Sequence, residues 1–266
     1  MLNEAHARAY LTKLGYDSTP APTKESLDAL IYGHQTHIPF STLDIHRNQR
    51  EPNLELEAIF EKVITQGKGG YCFELNKLFE ALLTSLGYDA RPVYARAVRG
   101  REGRMPINHR GMVVQLEDGL YSVDVGFGGP MPAGALKLEE GLMQDIQGES
   151  YIAKQVDESW WKIDRITKGS IDLHDDGLPT RRQTELELCT APVEDIDFAA
   201  LSLFCAQPGT LFRDHEVINL RTPTGHKAYK DGTLTIREQG AKRMMEYADA
   251  PAQEQALWEH FGIRCS

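Results

Sequence analysis

The chain has 266 residues, 41% of them hydrophobic, enough for one large domain or for two to three small modules with cores of their own. Its 29 basic and 39 acidic residues leave a net charge of −10, which argues against a general nucleic-acid or acidic-membrane binder but leaves room for a local basic pocket. No stretch approaches the roughly 18 apolar residues of a membrane span, Met1–His6 has neither a basic flank nor an apolar run of signal-peptide type, and Cys72, Cys189, Cys205 and Cys265 show no CxxC spacing, so reduced thiols in a soluble, cytoplasmic protein are expected.

Residues from about 3 to 86 read as helical. Ala7, Tyr10, Leu11 and Leu14 fall on one apolar face, which Gly15-Tyr16-Asp17 ends. Thr23 is a candidate cap for a second helix with Leu27, Leu30 and Ile31 on its buried face. His34 and His37 share a helix face, which suits zinc, yet no third ligand stands at a usual spacing and Ile38-Pro39-Phe40 breaks the helix, so structural histidines are expected. Glu55 to Ile64 reads as another amphipathic run. After Lys68-Gly69-Gly70-Tyr71 comes Cys72, opening a helix in which Phe73, Leu75, Leu78, Phe79, Leu82 and Leu83 recur at helical spacing and which stops near Gly87.

From residue 89 the pattern turns to strands. Ala90–Val98, Gly111–Leu116, Leu120–Val125, Tyr151–Val156, Trp160–Ile166 and Glu185–Cys189 read as short strands, with Asp118-Gly119 as a hairpin turn, and together they suggest a small barrel or curled sheet. Trp160 and Trp161 read as packing or capping residues of that sheet. From about Pro192 the pattern mixes again: a helix over Phe198–Phe204, strands over Glu216–Leu220 and Leu234–Ile236, and a closing helix over Met244–Phe261.

Three places carry chemistry. A cysteine where a loop becomes a helix faces unpaired N–H groups and the positive end of the helix dipole, both of which favour thiolate. His109 opens one strand, and Asp124 ends the next, just before Gly126-Phe127-Gly128-Gly129. Taken singly, Cys72 is also read as a small core residue, His109 as a satisfied strand histidine and Asp124 as a sheet-end carboxylate. Together they are the parts of an acyl-transfer site: a thiolate to attack an activated acyl group, a histidine to move protons and a carboxylate to fix the histidine's tautomer. His109 lies ten residues before the Asp118-Gly119 turn and Asp124 five after it, so a slipped or bulged register is expected if the two are to meet.

Lys68-Gly69-Gly70-Tyr71-Cys72-Phe73-Glu74-Leu75-Asn76, His109 37 residues later and Asp124-Val125-Gly126-Phe127-Gly128 another 15 on resemble the arylamine N-acetyltransferase family. The segments Tyr10–Tyr16, His37–Phe40 with Leu43-Asp44, and Asn219–Gly225 with Leu234–Ile236 resemble further parts of it, so the likeness spans nearly the whole chain. The resemblance implies an α+β fold with an N-terminal helical bundle (1–88) carrying the cysteine, a central β-barrel (89–195) carrying histidine and aspartate, and a C-terminal α/β lid (196–266), around a cysteine-protease-like Cys-His-Asp core. It implies a triad of Cys72, His109 and Asp124 and ping-pong chemistry: acetyl-CoA acylates Cys72, CoA leaves, and an arylamine, arylhydrazine or N-hydroxyarylamine takes the acetyl group. Gly126, Gly128 and Gly129 would let backbone N–H groups approach the CoA pyrophosphate, and Phe127 and Phe40 would line the acceptor pocket. No permanently bound cofactor and no metal is implied.

Lys13, Ser41-Thr42 and Lys68 stand where the family usually has arginine, Glu-Asn and arginine, which suggests that an ionic cluster behind the active site has been replaced as a unit. Phe204–Phe212 departs from the family's usual lid sequence, with Cys205 read as a passive buried thiol. Alternative readings are an amide synthase passing a longer acyl chain from a carrier protein to an aromatic amine, a Cys-His-Asp thioester hydrolase or peptidase, and a non-catalytic binding protein of the same fold.

Overall fold

Caps and breakers written in the sequence set the first helices. The Asn3 side chain accepts the His6 amide at 2.8 Å and opens α1 (Glu4–Lys13), and Thr23 Oγ1 accepts the Ser26 amide at 3.2 Å and opens α2 (Lys24–His37). Ile38, forced out of the helical region by Pro39, ends α2 at φ −120°, ψ 113°. A two-residue strand β1 (Phe40–Ser41) and a short α3 (Leu43–Arg47) follow. The Glu55–Ile64 run is not one regular helix: α4 (Leu56–Phe60) widens into a π turn over Glu61–Thr65. Helix α5 (Cys72–Ser85) is buried over most of its surface, with only Lys77, Glu80, Thr84 and Ser85 partly exposed, as befits a central helix. Phe73, Leu75, Leu78, Phe79, Leu82 and Leu83 are fully buried, each worth at most about 1.5–3 kcal/mol of transfer free energy. The computed structural model describes residues 1–173 and 179–264, and Cys265 lies outside them.

An antiparallel eight-stranded sheet packs against α5. Its strands in chain order are β2 (Asp89–Ala97), β3 (His109–Leu116), β4 (Gly119–Val123), β5 (Leu136–Lys137), β6 (Met143–Ile146), β7 (Glu149–Gln155), β8 (Trp160–Leu173) and β9 (Pro179–Cys189), and in space they run β5-β4-β3-β2-β9-β8-β7-β6. The two edges are joined by Gln144, whose side-chain amide bonds the Lys137 backbone N–H at 2.8 Å and carbonyl at 2.9 Å. This bridge nearly closes the sheet on an apolar interior of Val93, Val113, Leu136, Tyr151, Ile163 and Leu186. Trp161 packs against that interior, and Arg96 stacks on Trp160 at 3.7 Å.

Two short helices, α6 (Phe198–Cys205) and α7 (Leu211–Asp214), lead into a meander of β10 (Val217–Thr222), β11 (Gly225–Lys230), β12 (Thr233–Glu238) and β13 (Ala241–Glu246), backed by α8 (Ala250–Phe261). Strand β1 pairs with β10 through Phe40 and Asn219, so a piece of the N-terminal segment forms an edge of the C-terminal sheet. The expectation of one helix over Met244–Phe261 is corrected: Met244 lies in β13, opposite Thr235, and the helix starts only after Asp249, whose side chain caps Ala252. No helix among the described residues is long and apolar enough to cross a membrane.

Candidate active site

Cys72 is the first residue of α5, as the sequence predicts. The approach to it is shaped by Gly69, at φ +68°, where an added Cβ would lie 2.3 Å from the Pro39 carbonyl oxygen. The Glu74 carboxylate reaches back to accept the Tyr71 amide at 3.1 Å, which satisfies one of the donors a helix start leaves over.

The register between β3 and β4 corrects the expectation of a slip or bulge. Met112 faces Val123, Val113 faces Ser122 and Leu116 faces Gly119 without interruption. Continued past the end of β4, that regular register sets Asp124 opposite Gly111, and His109, two residues further along β3, lies on the same face as a diagonal neighbour. His109 Nε2 and Asp124 Oδ2 are 2.6 Å apart, with both side chains buried. A carboxylate accepts, so Nε2 carries the proton and Nδ1 is the ring nitrogen left to act as base.

Asn76, one turn beyond Cys72, locks this pair to α5. Its Nδ2 donates to Asp124 Oδ1 at 3.0 Å and to the Arg110 carbonyl at 2.5 Å, while its Oδ1 accepts the Val125 amide at 2.9 Å. The Gly126 amide also donates to Asp124 Oδ1, at 2.9 Å. Gly126 itself lies against the nucleophile: an added Cβ would stand 2.8 Å from the Cys72 Cα. Cys72, His109 and Asp124 are therefore brought together at the junction of α5, β3 and β4, each with 4% or less of its surface exposed.

Burial pushes the Cys72 thiol well up, and Cys205 and Asp124 push it the same way, while hydrogen bonds from the backbone at Arg110 and Phe73 pull it back. The helix-start position is as expected, but the expectation that it leaves the cysteine predisposed to ionise is corrected, because desolvation outweighs the backbone donors. Cys205, also buried, has its thiol pushed up to about 11 by desolvation, and its sulfur bonds the Asn108 carbonyl at 3.8 Å.

A cavity of about 500 Å³ opens beside Asp124, between α2, the 125–131 loop and the β10–β11 hairpin. Phe40, Phe127, Gly128 and Gly129 line it, together with Arg99, Glu149, Arg221 and His226. Phe127 meets the His109 ring edge-on at 5.7 Å and lies under the Arg99 guanidinium at 4.7 Å. Arg99 Nη2 holds the Phe127 and Gly128 carbonyls at 2.9 and 2.6 Å. An added Cβ at Gly128 would strike the Phe40 ring at 2.7 Å, and one at Gly129 would strike Arg99 at 2.4 Å. These glycines thus allow close approach, and the groups that approach in this structure belong to the protein itself. His34 and His37, outside the site, are engaged locally: His34 Nδ1 lies 2.6 Å from the Tyr10 hydroxyl, and His37 Nδ1 lies 2.8 Å from the Gly33 carbonyl.

A family model described as N-acetyltransferase matches residues 23–266. The chain belongs to the arylamine N-acetyltransferase family. The "Arylamine N-acetyltransferase / N-hydroxyarylamine O-acetyltransferase" of Salmonella typhimurium is 29% identical over 259 residues, which is 96% of this chain and 88% of that protein. A solved arylamine N-acetyltransferase from Salmonella typhimurium superposes with a TM-score of 0.87 at 28% identity, covering 99% of this chain and 92% of the other. That of Mycobacterium marinum in complex with CoA gives 0.84 at 26% identity, over 97% and 92% of the two chains. Two of the segments read from the sequence as unusual for that family lie beside the Lys68–Tyr71 loop. Ser41 is buried in β1, with its hydroxyl accepting the Leu43 amide at 3.4 Å. In the 204–212 segment, Phe212 packs at a tilt against Phe40 at 5.7 Å and meets Tyr71 edge-on at 6.1 Å.

Asn76 and Arg99 were not singled out from sequence. Asn76 had a signal, as a polar residue between Cys72 and Phe79 on the face of a helix that is otherwise apolar there. Arg99 had none, because it sits in the loop after β2 and only the fold carries it over Phe127.

Proposed function

We propose that this chain transfers an acetyl group from acetyl-CoA to an arylamine, arylhydrazine or N-hydroxyarylamine through a thioester on Cys72. The observation that carries this is the His109–Asp124 pair fastened to the Cys72 helix by Asn76. Cys72 attacks the thioester carbonyl as its proton passes to His109 Nδ1. The tetrahedral intermediate collapses, the carbon–sulfur bond to CoA breaks, and His109 returns the proton to the departing CoA sulfur. The acceptor nitrogen (or the hydroxylamine oxygen) then attacks the acetyl-Cys72 carbonyl, His109 takes its proton, and Cys72 leaves with that proton. Asp124 keeps the imidazole in the needed tautomer and offsets the positive charge it acquires. Backbone amides at the start of the Cys72 helix, among them that of Phe73, are the donors offered to the developing oxyanion.

The lining of the cavity supports an aryl ring held beside Phe127 and Phe40, with the Arg99 charge available to the anionic end of the CoA donor. The division into bundle, barrel and lid at residues 88 and 195 is proposed with it, with β1 crossing over to the lid's sheet. Intact-protein mass measured after mixing with acetyl-CoA and no acceptor tests the assignment. One acetyl group on the wild type, none on Cys72→Ser and release by an aniline or hydrazine are expected. Acetylation of Cys72→Ser to the same extent would sink it.

A further inference from the structure

We infer that Lys62 is a positioning residue that fixes Cys72 by holding the Glu74 carboxylate as the cap of the Cys72 helix. The inference rests on Cys72 being the nucleophile. Lys62 Nζ lies 2.9 and 3.0 Å from the two Glu74 oxygens and 3.0 Å from Asp44 Oδ2. The Glu74 side chain is only 3% exposed and that of Lys62 16%. Burial works against the Lys62 charge, but Glu74 and Asp44 outweigh it and raise its pKa, so the ammonium stays protonated. Ser41 and Lys68 line the small cavity that Asp44 and Lys62 also line, so the cluster lies beside two of the positions whose replacement the sequence suggests.

The π turn delivers that lysine. The Gln66 amide bonds the Glu61 carbonyl at 2.9 Å, the i→i+5 pattern, and the Lys68 amide returns to the Lys62 carbonyl at 3.1 Å. The same segment thereby carries the ammonium to Glu74 and starts the Lys68–Tyr71 loop. Glu74 in turn accepts the Tyr71 amide, and the Gly70 backbone packs on it, an added Cβ there lying 3.2 Å from the Glu74 Cβ. With the Lys62 charge gone, Glu74 is a buried carboxylate facing a single backbone donor. It then turns toward solvent, which releases Tyr71 and shifts Cys72 against Gly126. Glutamine also serves at this capping position, so an uncharged pair of lysine and glutamate replacements keeps the cap without the ion pair.

The test compares Lys62→Met, Lys62→Arg and the double variant Lys62→Met/Glu74→Gln with wild type. It reads kcat and KM for acetyl-CoA, and the second-order rate of Cys72 alkylation by iodoacetamide. Lys62→Met is expected to lose about tenfold to a hundredfold in kcat and to slow alkylation, as a misplaced reacting group does. Its KM for acetyl-CoA should stay within about twofold, since donor contacts are untouched. Lys62→Arg and the double variant should recover most of both rates. Wild-type kcat in Lys62→Met, a loss confined to KM, or a double variant as slow as the single one would overturn the proposal. If Lys62→Met fails to fold by circular dichroism, the double variant decides. Alkylation needs no acetyl transfer, so an unacetylated wild type would remove the proposed function while the alkylation ratios still judge Lys62.

Discussion

The proton on Cys72 is worked on from two sides: burial raises the thiol's pKa, and the imidazole of His109, oriented by Asp124, is there to accept what the thiol gives up. A thiol shifted in this direction reacts at neutral pH only through a neighbouring base. His109→Gln should therefore slow Cys72 alkylation by iodoacetamide at pH 7 by about a hundredfold or more, within the usual contribution of general-base catalysis. Its remaining reactivity should climb only as the pH rises above the ordinary thiol value of 9.0, because the folded thiol is shifted upward. Equal rates for wild type and variant at pH 7 would mean that the sulfur ionises unaided. Asn76 is the second residue to question. Replacing it by alanine strips a partner from Asp124, the Arg110 carbonyl and the Val125 amide at once, all buried groups. Asn76→Ala should cost about 1–3 kcal/mol in urea unfolding and about tenfold to a hundredfold in kcat through the loosened histidine–aspartate pair. Wild-type stability and turnover would assign Asn76 no role in the lock.

At the level of elements, the site depends on how closely the loop after β4 can approach the start of α5. Gly126 sets that distance, and a methyl group there would meet backbone, which cannot rotate away. Gly126→Ala should therefore push α5 and the loop apart, at about 1–3 kcal/mol in stability. The acetylated Cys72 form should disappear from the mass spectrum while the circular dichroism stays native; a fully acetylated variant would show that the contact is not needed. The same elements show what could be read in advance. The helix of Cys72 was legible because Phe73, Leu75, Leu78, Phe79, Leu82 and Leu83 repeat at helical spacing, and the β3–β4 hairpin because Asp118-Gly119 marks its turn. The pairing of His109 with Asp124 was misjudged by counting to the turn, whereas side chains on the same face two positions apart meet diagonally without any slip. Met244–Glu246 reads as the start of the closing helix from its local propensities, yet a register from Thr233 opposite Glu246 to Glu238 opposite Ala241 places it in an edge strand. Lys62 could not be found from spacing, because a π turn departs from the 3.6 period on which amphipathic readings rest.

Across the whole molecule, three stretches far apart in the chain meet at Asp195. Its carboxylate bonds Lys77 Nζ of α5 at 2.5 Å and Arg110 Nη1 of β3 at 2.5 Å, at the start of the turn that enters α6. Arg110, 1% exposed and stacked on Phe198 of α6 at 4.6 Å, also bonds Glu80 at 2.8 Å. Helix α6 in turn brings Ser202 to the Tyr71 hydroxyl, so the clasp bears on the residue next to Cys72. Burial acts most strongly to raise the Asp195 pKa, but the bonds from Lys77 and Arg110 together outweigh it and hold it below the ordinary 3.8. A carboxyl lowered by folding stabilises the native state above its unfolded pKa and loses that contribution as the pH falls through the folded one. Because the Asp195 side chain is 51% exposed, solvent screening limits the contribution to about 1 kcal/mol. Asp195→Asn should thus lower Tm at pH 7 by roughly 2–4 °C. The gap between wild type and variant should hold down to pH 3.8 and shrink below it, since both chains then carry an uncharged side chain at this position. A gap as wide at pH 2.5 as at pH 7, for which about 1 kcal/mol of charge pairing could not account, would tie the loss to the shape of the amide rather than to the ionic clasp between the three stretches.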